Sequence, residues 1–179
     1  MRIAHVLFII TALLGTGAQF AQSAQSATSA DAFAEKRPAI SLKLNAVQDV
    51  VKAGAPVLVK VATTNVSDHK ITVVFRTMGC ALISFGFDVR DENGDPALDG
   101  PFERRLKAER DPTATNVKPM TGNAAFVELA PGETFDRETG VDCRHDLTRP
   151  GKYRIRVVKI DDETKTVVKS NMITVTVTP

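Results

Sequence analysis

The sequence predicts an all-β fold, an antiparallel β-sandwich of seven or more strands, on three observations. After the turn Pro150-Gly151, Tyr153, Ile155 and Val157 alternate with Lys152, Arg154 and Arg156, the period-two pattern of a strand with one buried and one wet face. The same alternation recurs in short runs along the chain, separated by turn residues at the spacing of a sandwich. No 11-residue window after residue 37 shows a convincing helical period.

The elements follow in order. Residues 40–46 alternate cleanly and form the first expected strand. Gly54 marks a turn before Val57, Val59 and Val61, a run rich in the β-branched residues that half-buried strands favour. The polar turn 65–70 leads to Ile71, Val73 and Phe75, and these two strands are expected to pair as a core hairpin. Ile83, Phe85, Phe87 and Val89 alternate next, and Asn93-Gly94 supplies the positive φ angles of a tight turn. Periodicity disappears across residues 98–123, which hold Pro101, Pro112, Pro119, Gly100 and Gly122. That segment reads as a long irregular loop, and such loops are either functional or mobile. Order returns at 125–129, the polar segment 134–145 reads as an edge strand or crossing, and Val167, Val168, Ile173, Val175 and Val177 complete a final hairpin.

Residues 1–26 read as a secretory signal: Arg2, a short apolar run from Ile3 to Leu14, then small residues at Ala21-Gln22-Ser23 or Ala24-Gln25-Ser26 suited to cleavage. Residues 27–37 read as a disordered leader and 38–179 as the domain. The expected product is exported, periplasmic or extracellular, with no stable membrane insertion after cleavage. Removing residues 1–26 leaves 22 basic and 21 acidic residues. That balance argues against a nucleic-acid partner, which requires Lys and Arg concentrated on one face.

Cys80 and Cys143, the two cysteines of the chain, are expected to form a disulfide in an oxidising compartment. Closing that loop stabilises by about 4 kcal/mol on the chain-entropy account. The sharper alternative is a Cu(I) site using Cys80, Cys143 and His145, with Met78 and His69 in support; no repeated ligand motif accompanies it, so no metal and no cofactor is expected. Zinc-protease, nucleophile-elbow and phosphate-loop motifs are absent, and two histidines remain after signal removal, so no catalytic residue is assigned and the chain is expected not to be an enzyme. The carboxylate pair Asp161-Asp162 reads as a solvated turn. Asn65-Val66-Ser67 matches a glycosylation acceptor but reads as a turn.

Asp146, the turn at Gly151 and Tyr153 two residues before the first core aliphatic resemble the tyrosine corner of immunoglobulin-like sandwiches. Together with residues 40–44, 59–67, 87–94 and 129–133, they make the chain similar to immunoglobulin-like domains of secreted bacterial proteins, including the non-catalytic region of deuterolysin-type metalloproteases. The buried Trp usual in that fold is missing, and Phe75 or Phe87 is expected to fill its space. The resemblance speaks to fold rather than activity and carries over no catalytic residue. The expected function is a non-catalytic binding or accessory module for another extracytoplasmic protein or an envelope component, with residues 99–123, long, irregular and polar, as the expected contact surface. An inhibitor of exported proteases is the alternative, and a periplasmic copper-binding protein the second.

Overall fold

The computed structural model describes residues 37–111, 113 and 120–179, all within the unit Glu35–Pro179. The expected signal and all but the last residue of the expected leader lie outside the described residues. In chain order the elements are β1 (Ile40–Ala46), β2 (Val50–Lys52), β3 (Leu58–Asn65), β4 (Ile71–Met78), β5 (Ala81–Leu82), β6 (Gly86–Arg90), α1 (Pro101–Arg110), β7 (Gly122–Leu129), β8 (Thr134–Gly140), β9 (Gly151–Ile160), β10 (Val167–Lys169) and β11 (Ile173–Thr178). The fold is an all-β sandwich.

The strand β9 is the spine. Its inward residues Tyr153, Ile155, Val157 and Lys159 are all buried, as the alternation predicts for the first three. Antiparallel β6 lies on one edge, and β10 and β11 share the other. The sheet is closed by β2, which pairs with β11 in parallel. A second sheet has the order β1-β3-β8, and a third the order β5-β4-β7. Leu42, Leu44, Val59, Val61, Val73, Phe75, Ile155, Val157 and Val175 from these sheets meet in one core. Burial of apolar side chains at about 25 cal/mol per Å² is what holds the sheets together. Phe75 is buried, and its ring centroid lies 6.0 Å from that of Phe85 and 5.0 Å from that of Phe135. Phe85 is 1% exposed, whereas Phe87 is only partly buried, so Phe85 rather than Phe87 partners Phe75.

Two expectations are corrected by the pairing. The strands at 57–62 and 71–75 do not form a hairpin: β3 runs between β1 and β8, while β4 pairs with β5 and β7. Asn65 explains the crossover. Its side chain is buried, donates from Nδ2 to the carbonyls of His69 (2.7 Å) and Leu129 (2.9 Å), and accepts the Ser67 N–H (2.9 Å) through Oδ1. One amide thus satisfies backbone groups that a hairpin ladder would have paired. A side chain so enclosed is a structural turn and offers no acceptor for a glycan.

The second correction concerns the irregular loop, part of which is the helix α1. Pro101 opens it at the first helical position, where its missing N–H is harmless. Gly100 before it lies so close to the 142–145 backbone that a Cβ would sit 2.6 Å from the Arg144 carbonyl carbon and the His145 nitrogen. Phe102 is buried and Leu106 packs beside it in a small satellite core with Ala81 and Cys143. Arg144 fixes the helix further, with Nη2 2.5 Å from Glu103 Oε1 and Nη1 donating to the Phe85 carbonyl at 2.6 Å.

The turn 161–162 also differs from expectation. Asp161 is 2% exposed, and its Oδ2 accepts the N–H groups of Ala39 (2.5 Å) and Ile40 (3.3 Å), clamping the start of β1. Asp162 Oδ2 accepts the Val74 N–H at 3.2 Å and faces Lys159 Nζ at 2.9 Å. Lys159 Nζ also lies 3.4 Å from the Val74 carbonyl. The two side chains stand in for a neighbouring strand on the free edge of β4, which shields it from edge-to-edge pairing.

Candidate functional site

The structure joins Cys80 and Cys143 in a disulfide across a sequence separation of 63, with Cα atoms 6.0 Å apart. It links the β4–β5 turn to the segment before the corner. Both sulfurs are therefore bonded to each other, and neither is a thiolate ligand in this state. Among the described residues no group of three or more His, Cys, Asp or Glu is placed to hold a metal ion. His145 sits under α1, and burial, then the charge of Arg144, push its pKa down and favour the neutral imidazole. His69 lies apart in the β3–β4 turn, its Nδ1 2.9 Å from Asp68 and its Nε2 2.9 Å from Glu163. Hydrogen bonds to these two carboxylates raise its pKa.

The corner residues are brought together. Tyr153 Oη donates to the Arg149 carbonyl at 3.0 Å, the Asp146 carboxylate accepts the Thr148 N–H (3.1 Å) and hydroxyl (2.6 Å), and Gly151 begins β9. Asp146 and Tyr153 line one cleft with Arg149 and the 95–98 segment. These groups satisfy each other and the local backbone. They build the fold and present no free reactive group.

What the sequence reading missed is on the outer face of the β6-β9-β11-β2 sheet. The register stacks outward residues in rows across the strands: Lys52 beside Thr178, then Val50, Thr176 and Lys152, then Thr174, Arg154 and Arg90, then Arg156 and Asp88. Lys169 on β10 lies opposite Val158 in the next row, and Val167 opposite Ile160 in the last. Six cations thus share one face with a single strand carboxylate, Asp88. At ordinary strand spacings the face measures roughly 15 Å by 30 Å.

Asp88 is saturated by its neighbours. Arg156 Nη2 lies 2.7 Å from Oδ2 and Arg90 Nε 3.0 Å from Oδ1. The Arg156 hydrogen bond holds the Asp88 carboxyl below its usual pKa; partial burial opposes this and the Arg90 charge adds to it. Lys52, Lys152, Arg154 and Lys169 make no ion pair among the described residues. Arg90 and Arg154 are direct cross-strand partners, an arrangement that costs stability when the charges are alike. The outer face of β1-β3-β8 shows the contrast, since Lys43 and Lys60 there are balanced by Asp136 and Glu138. The even charge of the whole chain conceals this asymmetry, so the argument from charge balance does not hold for this sheet.

The far end of the face is apolar. Ile160 and Val167 are 60% and 61% exposed. A groove of about 390 Å³ between the sheets is lined by Ile160, Val158, Val74, Ile83, Arg76 and the Lys159–Asp162 pair, and Phe126, 70% exposed, is the cross-strand partner of Val74.

No known protein family matches the chain, and no curated relative matches it. A similar solved structure is that of a β-glucosidase from Erythrobacter marinus, at 16% sequence identity and a TM-score of 0.39, covering 79% of this chain and 16% of the enzyme's. The chain thus corresponds to about a sixth of that protein's length. Since this neighbour is an enzyme, the expectation that the chain is not one is withdrawn. At that level of similarity the likeness carries no activity, substrate or site to this chain.

Proposed function

We propose that this chain is an exported binding or accessory module whose contact surface is the outer face of β6-β9-β11-β2, and whose partner is a negatively charged extracytoplasmic protein or envelope component. The observation that carries the reading is the set of six cations that share the outer face of one sheet with one strand carboxylate among the described residues. Four of those cations make no ion pair among the described residues, and like charges face each other at Arg90 and Arg154, with Arg90 held by Asp88 and the Gly94 carbonyl. Such a surface attracts anions over about a Debye length, and it raises association rates in a salt-dependent way. Export is supported by the N-terminal pattern, by the disulfide, which reducing compartments disfavour, and by the immunoglobulin-like resemblance. Among the described residues no helix is long and apolar enough to cross a membrane.

This reading moves the contact surface away from residues 99–123. Ten residues of that segment, Pro101–Arg110, form a helix pinned by Phe102 and Arg144, and residues 112 and 114–119 of it lie outside the described residues. The copper alternative loses its two thiolates to the disulfide. A photo-crosslinking residue at Thr174, on the cationic face, tests the proposal in the expressing cell against one at Lys43 on the opposite sheet. Adducts from position 174 and none from 43 are expected; the reverse pattern refutes this choice of surface.

A further inference from the structure

We infer that the anionic partner of this face is a phospholipid membrane surface, docked by the cations and anchored by the aliphatic end; the inference rests on the surface assignment above. The cations alone would suit any polyanion. The distinguishing observation is what adjoins them in register. Lys169 stands opposite Val158, and the next row is Val167 and Ile160, two large aliphatics exposed by about three-fifths. Val74 shares the groove with Ile160, and exposed Phe126 pairs with Val74, so apolar side chains recur on the neighbouring sheet beyond the Lys159–Asp162 pair. A soluble polyanion offers such side chains nothing. An anionic bilayer offers both phosphates for Lys152, Arg154 and Lys169 and an acyl boundary for Ile160, Val167 and Phe126. The threonines at 174, 176 and 178 separate the cations with short neutral side chains.

The test is sedimentation of the full chain with vesicles of phosphatidylcholine alone or with about 30% phosphatidylglycerol, alongside retention on immobilised dextran sulfate. Three proteins are compared: wild type, Lys152→Glu/Arg154→Glu/Lys169→Glu, and Ile160→Ser/Val167→Ser. Their N-terminal residues are identical, so any binding by that segment cancels, and circular dichroism checks that each is folded. Wild type is expected to bind the anionic vesicles more tightly than the neutral ones. The charge variant is expected to lose about 100-fold in affinity or more, and the aliphatic variant about tenfold with its salt dependence unchanged. Equal vesicle binding by wild type and the aliphatic variant overturns the lipid inference. Retention on dextran sulfate that depends on the three cations, with no vesicle binding, also overturns it but leaves the surface assignment standing. Charge and wild-type proteins that behave alike on both supports overturn both.

Discussion

Replacing Asp162 by alanine is expected to destabilise the protein several times more than replacing Lys159 by methionine, although the two residues form one ion pair. The Lys159 side chain is 3% exposed and that of Asp162 34%. Without Asp162, the ammonium stays enclosed with only the Val74 carbonyl at 3.4 Å and the Phe85 ring centroid at 5.9 Å, and the Val74 N–H loses its acceptor. A buried charge stripped of its partner costs about 3–5 kcal/mol, and the partial exposure of this site favours the lower end, about 3 kcal/mol. Methionine at 159 keeps the shape and removes the charge. Asp162 then still reaches water and still accepts the Val74 N–H, so the lost ion pair and long hydrogen bond are largely offset by no longer burying the ammonium, a net cost of about 1 kcal/mol or less. The double variant should cost about 2 kcal/mol, because the Val74 N–H still loses its acceptor, and this leaves a coupling of about 2 kcal/mol. Urea unfolding reads these as midpoint shifts at constant slope. Equal costs for the two single variants, or additive costs in the double, would refute the picture of an enclosed lysine held by one carboxylate.

Further expectations follow from other sites. Asn65→Ala leaves the buried Leu129 carbonyl without its side-chain donor and the His69 carbonyl with the Ser67 hydroxyl alone, and should cost about 2 kcal/mol in the same assay. Reduction and alkylation of the Cys80–Cys143 bridge should lower stability by about 4 kcal/mol on the chain-entropy account, measured as a fall in the urea midpoint. The two histidines should titrate in opposite directions by NMR, His69 above the ordinary value of 6.5 and His145 below it. For His69 the raised folded pKa means that its contribution is full below 6.5 and lost as pH rises through the folded value. For His145 the depressed folded pKa means that its contribution is full above 6.5 and lost as pH falls from there through the folded value.

The sandwich was legible because its signal is local: Tyr153 through Val157 announce their face by alternation, and Val57 to Val61 and Val175 to Val177 do the same. Asn65 misled because its role is not local. Its amide satisfies a carbonyl 64 residues away, so a turn that reads as a hairpin is a crossover between sheets. The helix was hidden because its apolar inward residues are Phe102 and Leu106 alone, a single i, i+4 pair against a background of charges. The cationic face was invisible for a different reason. Its six members are spread from residue 52 to residue 169 over strands whose order is set by register, and every one of them reads in its own strand as an ordinary wet position.

The central claim is that the face bearing Lys152, Arg154 and Lys169 is the contact surface, and sedimentation of the purified protein with isolated cell envelopes over a salt series tests it most directly. The account predicts that wild type pellets with the envelopes at low salt and is released as salt rises, while Lys152→Glu/Arg154→Glu/Lys169→Glu stays in the supernatant throughout. A triple variant that pellets as wild type does, with the same salt dependence, would contradict it.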